Sequence, residues 1–167
     1  MESNRRARFF QKLEEEIREG NVETVLVPPQ DENLSETLRA LLPVTDDGDP
    51  SLLEIMDAPY VDGADVLIFY ITIIAKINTR EEELLRVLNE WNLECPLGAF
   101  GIYDNREQGM KQLYFKYSIL IDPETDPEEL AETAMFHVMM IYEIVSQQYK
   151  DAYRLAKGEE PPHPETE

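Results

Sequence analysis

The chain has 167 residues, a formal net charge of −20 and 43% hydrophobic residues. That length fits one domain able to hold its own core. The charge excludes the basic footprint that nucleic acid or an acidic membrane surface requires, and the single cysteine, Cys95, excludes an internal disulfide and fits a reducing, cytoplasmic location.

The first stretch, MESNRRARFFQKLEEE, is too polar for a secretory leader, so none is expected. It carries the one positive cluster, Arg5, Arg6 and Arg8. Phe9, Phe10, Leu13 and Ile17 fall at helical spacing and predict a helix over 4–19, stopped by Gly20 and Asn21. VETVLV, 22–27, predicts a short strand closed by Pro28 and Pro29. Residues 31–42 read as a short helix, with Leu34, Leu38, Leu41 and Leu42 on its apolar side and Asp31 or Ser35 as its cap. Val44 to Pro50 reads as a loop.

SLLEIMD, 51–57, reads best as a strand pairing with 66–77 through the turn signal Asp62-Gly63. VLIFYITIIAKI, 66–77, is the longest apolar run and is too short to span a bilayer. Its β-branched and aromatic content suits a central strand. By parity, Leu67, Phe69, Ile71, Ile73, Ala75 and Ile77 make a wholly apolar face, expected to meet the last helix and Trp91. Val66, Ile68, Tyr70, Thr72, Ile74 and Lys76 make a mixed face that is too apolar to be left in water without reason. Either the amino-terminal segment or a second subunit is expected to cover it.

A helix is predicted over 78–93, capped by Asn78 or Thr79, with Glu81 to Glu83 favourable in its first turn. LGAFGIY (97–103) and MKQLYFKYSILI (110–121) predict a hairpin around the polar turn DNREQG. In its second strand Leu113, Phe115, Tyr117, Ile119 and Ile121 share one face, and Gln112, Tyr114, Lys116 and Ser118 the other. The longest helix is predicted over 126–157, with Asp126 as cap, Pro127 at its first position and Glu129 completing a capping box. From Ala134 to Val145 only His137 and Glu143 are polar, which calls for cover on more than one side. The tail after Gly158 has the composition of a disordered segment.

Catalytic chemistry is scarce in this sequence. A lone histidine inside an apolar helix, His137, reads as a core or interface residue, and His163 as solvated in the tail. Nothing local supports a Cys95–His137 pair, and Cys/His zinc sites lack ligands. Asp46, Asp47, Asp49 and Glu54 are the best carboxylate cluster, but Pro43 and Thr45 stand where a calcium loop needs its first and third ligands. Gly98 and Gly101 belong to a strand, where close packing is the plain reading. No cofactor and no metal is expected, and an enzyme has a low prior.

Leu84, Leu85, Leu88, Asn89, Trp91 and Asn92 in the middle helix, with Gly98, Phe100, Tyr103, Leu113, Phe115 and Tyr117 in the hairpin, carry a resemblance. The chain from about residue 51 to 156 resembles the YbjN-like family, described as bacterial sensory-transduction regulators. The resemblance implies a fold similar to type III secretion chaperones: a helix, three strands, a helix, two strands and a helix. Residues 1–50 would then be an N-terminal helical and strand elaboration, 51–157 the YbjN-like domain and 158–167 the tail.

The fold expected is α+β: a single antiparallel or mixed sheet of about five strands with helices mainly on one face. The function expected is a non-enzymatic protein-interaction domain whose partner is another protein or a second copy, as a homodimer. Ile68, Tyr70, Thr72, Ile74, Tyr114 and Lys116 are the candidate interaction face. The alternatives are a chaperone-like binder of an extended client, supported by fold alone, and a carboxylate- or metal-dependent enzyme.

Overall fold

Alternation with period two organises the molecule. In the computed structural model, which describes residues 1–29, 36–44, 50–77, 81–105 and 109–156, the chain runs α1 (Ser3–Glu19), β1 (Glu23–Val27), β2 (Thr37–Leu42), β3 (Ser51–Val61), β4 (Ala64–Ile74), α2 (Glu81–Glu94), β5 (Ala99–Asn105), β6 (Met110–Ile121) and α3 (Pro127–Ala156). The six strands form one sheet in the order β1-β2-β3-β4-β6-β5, every neighbouring pair antiparallel. The class is α+β, with a sheet one strand larger than expected.

Odd-numbered residues of β3 and β4 point to one side and are buried: Leu53, Ile55, Leu67, Phe69 and Ile71 are wholly inaccessible. Leu38, Ala40, Leu113 and Phe115 continue that buried face across β2 and β6. The helices pack on this face, and their apolar rows follow from their spacing. α1 buries Phe9, Phe10, Leu13 and Ile17 against α3 and the β1–β2 end of the sheet. α3 buries Ala134, Val138, Ile141, Val145 and Tyr149 over α1 and β4. α2 lies on β5, where the Trp91 ring meets Phe100 edge-on and Phe100 in turn packs on Phe115.

The family pattern's helix, three strands, helix, two strands, helix is present with one strand added before α2. β2 forms where the sequence reading expected a helix. Leu38, Ala40 and Leu42 are buried and Leu41 turns outward, an alternation that the leucine-rich spacing disguised as a helical stripe. Pairing with β1 on one side and β3 on the other outweighs local propensity here. The rest of that expected helix, with Asp31, Leu34 and Ser35, lies outside the described residues. So do Asn78 and Thr79, proposed as the cap of α2, and the tail with His163.

The described elements of the amino-terminal fifty residues share the sheet and the core: β1 and β2 extend one edge, and α1 packs on α3. The cationic cluster is engaged internally. Arg5 donates to the carbonyls of Glu124 and Thr125, Arg6 pairs with the fully buried Asp57 at 2.9 Å, and Arg8 lies near Glu128. At α3, the Asp126 carboxylate accepts the Glu128 N–H at 2.9 Å and caps the helix. α3 is covered by the sheet and by α1 but not all round: Phe136 and Met139 are each about 60% exposed on its outer flank.

Candidate interaction face

The second face of the sheet carries no helix among the described residues. Of the two expected covers, the amino-terminal segment or a second subunit, the first is not α1, which lies on the opposite face with α2 and α3. Antiparallel register lines its side chains into cross-strand rows. One row reads Val25, Arg39, Glu54, Tyr70, Lys116, Ala99 from β1 to β5. The row beside it reads Glu23, Leu41, Leu52, Thr72, Tyr114, Gly101, and the row on the other side Val27, Thr37, Met56, Ile68, Ser118. Opposite side chains in such rows lie about 4.5–5.5 Å apart at Cβ and interact directly.

Five of the six residues singled out from the sequence come together here. Ile68, Tyr70, Thr72 and Tyr114 are half-buried at the centre and Lys116 is exposed beside them. Ile74 does not join them. A β-bulge after Thr72 puts Ile74 opposite Leu113, a residue of the buried face, and Ile74 packs against the core. The extra residue shifts the register, so counting by twos still places Ile73 in the core but fails at Ile74.

The aromatic centre depends on a glycine. Tyr70 and Tyr114 stack with ring centroids 4.9 Å apart and planes 20° from parallel. The Tyr114 ring lies over Gly101, where a Cβ would come within 2.6 Å of its Cζ and hydroxyl oxygen. Met56, Ile68, Tyr70, Ile102, Tyr103, Tyr114 and Lys116 line a shallow cleft of about 310 Å³ around this stack. A second depression of about 250 Å³ lies over β1–β3, between Val25, Arg39, Leu41 and Leu52.

Electrostatically the face is quiet. Its charged side chains in the three central rows are Glu23, Arg39, Glu54 and Lys116, a net of zero in a chain of net −20. Arg39 and Glu54 form an ion pair at 2.9 Å. Burial pushes the Tyr70 phenol up to about 12, reinforced by Tyr114, Glu54 and Tyr103, so its hydroxyl keeps its proton throughout the physiological range.

The sequence reading missed Arg39, Leu41, Leu52, Met56 and Gly101 as parts of this face, and held Glu54 for a carboxylate cluster. Glu54 is a cross-strand partner of Arg39; Asp46, Asp47 and Asp49 lie outside the described residues. The signal for Leu52 and Met56 was present in the alternation of SLLEIM. Among the other polar candidates, the Cys95 thiol donates to the Leu97 carbonyl at 2.8 Å, beside the core. His137 sits among Phe69, Tyr117 and Phe136, and burial lowers its pKa from the usual value of 6.5.

At each sheet edge a helix side chain reaches one strand residue. On β5 the Asn92 carboxamide of α2 accepts the Phe100 N–H at 2.7 Å and donates to the Phe100 carbonyl at 3.0 Å. On β1, Arg18 of α1 donates to the Thr24 hydroxyl at 2.7 Å. No helix among the described residues is long and apolar enough to cross a membrane.

Comparison with known proteins gives one family and one fold neighbour to report. Residues 59–140 match the model of the YbjN family, described as "Putative bacterial sensory transduction regulator". The crystal structure of YbjN from E. coli, titled "a putative transcription regulator", is similar at 10% identity over 83% of this chain and 89% of that chain, with a TM-score of 0.43. No curated protein matches.

Proposed function

Residues 59–140 match the YbjN family model, and from that premise we propose that the chain is a non-catalytic, cytoplasmic protein-interaction module that binds protein through the open face of its sheet. The observation that carries this reading is the face itself. It is a run of half-buried Leu52, Met56, Ile68, Tyr70 and Tyr114 on β3, β4 and β6, uncovered by any described element. Apolar and aromatic surface rimmed by polar groups is what protein interfaces present. Its neutrality within an acidic chain removes the main obstacle to desolvating it.

A chaperone-like capture of an extended client by strand addition has less behind it. That mode uses free backbone groups at a sheet edge, and the Asn92 carboxamide already satisfies the Phe100 N–H and carbonyl on β5. The face reading is tested in cells by placing photoreactive benzoylphenylalanine at Tyr114 and, as a control, at Glu132 on the exposed side of α3. A covalent protein adduct from position 114 and none from 132 is expected. Adducts from 132 alone would refute the reading.

A further inference from the structure

The row of charges on the open face also says which partner fits it. We infer that the occupant is a second copy of this chain, packed sheet to sheet about a two-fold axis that runs along β4; this rests on the open face being the interaction surface. Sandwiched sheets lie about 10 Å apart with strands within about 30° of parallel. A dyad along β4 sets each residue of β4 over itself in the second copy, β6 over β3 and β5 over β2. In the row through Tyr70, Lys116 then faces Glu54 of the second copy, and by symmetry Glu54 faces Lys116, so one contact forms twice.

The neighbouring rows obey the same operation. Tyr114 falls over Leu52, and Gly101, which has no side chain, falls over the outward-turned Leu41. On the dyad itself lie Ile68, Tyr70 and Thr72, none of them charged. Lys116 makes no ion pair within its own chain among the described residues, whereas Arg39 and Glu54 pair with each other; the second copy supplies the carboxylate. Moving the dyad by half a strand spacing, to lie between β3 and β4, would set Lys116 against Arg39, so the charges disfavour that register. Under this dyad along β4, β1 overhangs and the five strands β2, β3, β4, β6 and β5 overlap, so four inter-strand gaps of about 4.8 Å by about 20 Å of strand give a flat footprint on the order of 400 Å². That is about half of the roughly 800 Å² per partner of a standard stable interface before side-chain relief is added, which fits a dimer at the small end of the range.

Charge exchange tests the pairing. Sedimentation velocity is run on the wild type, on Lys116→Glu, on Glu54→Lys and on an equimolar mixture of the two variants. The wild type is expected as a dimer at micromolar concentration and each variant alone as a monomer, its dimer weakened at least about tenfold because like charges now face each other. The mixture is expected to regain the dimer, because in the mixed pair both facing charges are again opposite. A monomeric wild type, variants that stay dimeric, or a mixture that stays monomeric overturns the inference. Thr72→Cys in a Cys95→Ser background needs no charge reversal: a short bismaleimide is expected to join two copies at the dyad, and its failure to do so counts against this axis. A monomeric wild type that still gives an adduct with a different protein from position 114 sinks the second copy alone. A monomer with no adduct there sinks the face reading too.

Discussion

Asn92→Ala isolates the side chain that satisfies the β5 edge at Phe100. The substitution removes an acceptor 2.7 Å from the Phe100 N–H and a donor 3.0 Å from the Phe100 carbonyl, and leaves the Trp91–Phe100 packing in place. Each such hydrogen bond contributes about 0.5–1.5 kcal/mol net, so the loss is about 2 kcal/mol. With a urea m-value of about 2 kcal/mol/M for a chain this size, the unfolding midpoint falls by about 1 M with m unchanged. Hydrogen exchange at the Phe100 amide is the second readout: protection drops in Asn92→Ala and persists in Asn92→Asp, which keeps the acceptor. A midpoint shift within about 0.2 M, a range typical of an indifferent surface change, together with unchanged Phe100 protection in Asn92→Ala would refute the reasoning. The freed edge also predicts a concentration-dependent loss of solubility in that variant, since unpaired edge groups template association.

Three further outcomes follow from the geometry. Gly63→Ala and Gly98→Ala share a left-handed backbone, φ +82° and +72°, but only at Gly98 would a Cβ meet atoms, 2.5 Å from the Phe115 Cζ and 2.6 Å from the Lys116 carbonyl oxygen. In chemical denaturation the first is expected to lose about 1 kcal/mol and the second at least about 3, since a fully buried ring and backbone cannot yield; equal losses would contradict this. Arg6→Ala leaves the inaccessible Asp57 carboxylate without its guanidinium, and because Arg6 is a quarter exposed the loss is expected near about 2 kcal/mol, below the 3–5 of a wholly buried pair. His137 has a lowered pKa through burial, so below pH 6.5 the unfolded chain binds a proton that the folded chain refuses. Its contribution to stability is complete above 6.5 and is lost as pH falls toward the lowered folded value. Denaturation of His137→Gln between pH 7.5 and 5.5 is therefore expected to show a shallower decline than the wild type; parallel curves would remove His137 from the account.

Most of the architecture was legible because burial alternates faithfully. The apolar parity of 66–73 and 113–121, the phenylalanine-leucine stripe of α1 and the Asp126-Pro127 start of α3 each state their face locally. The strand 37–42 was hidden because leucines at 34, 38, 41 and 42 satisfy a helical spacing as well as a strand's, and only pairing with both neighbours separates the two. The bulge after Thr72 was invisible for the same reason: parity is a local rule, and the extra residue is defined by the partner strand.

By itself the sequence determined the class of fold, the buried faces, the absence of a basic footprint and the resemblance to the YbjN-like family. It also posed the question of what lies against the second face of β4. Only the tertiary structure decided that α1 sits on the other side, leaving that face open, and that Arg39, Glu54, Tyr70 and Lys116 share one row. These are relations between segments far apart in the chain, set by register and helix placement, and no local pattern encodes a distance between residues 39 and 116.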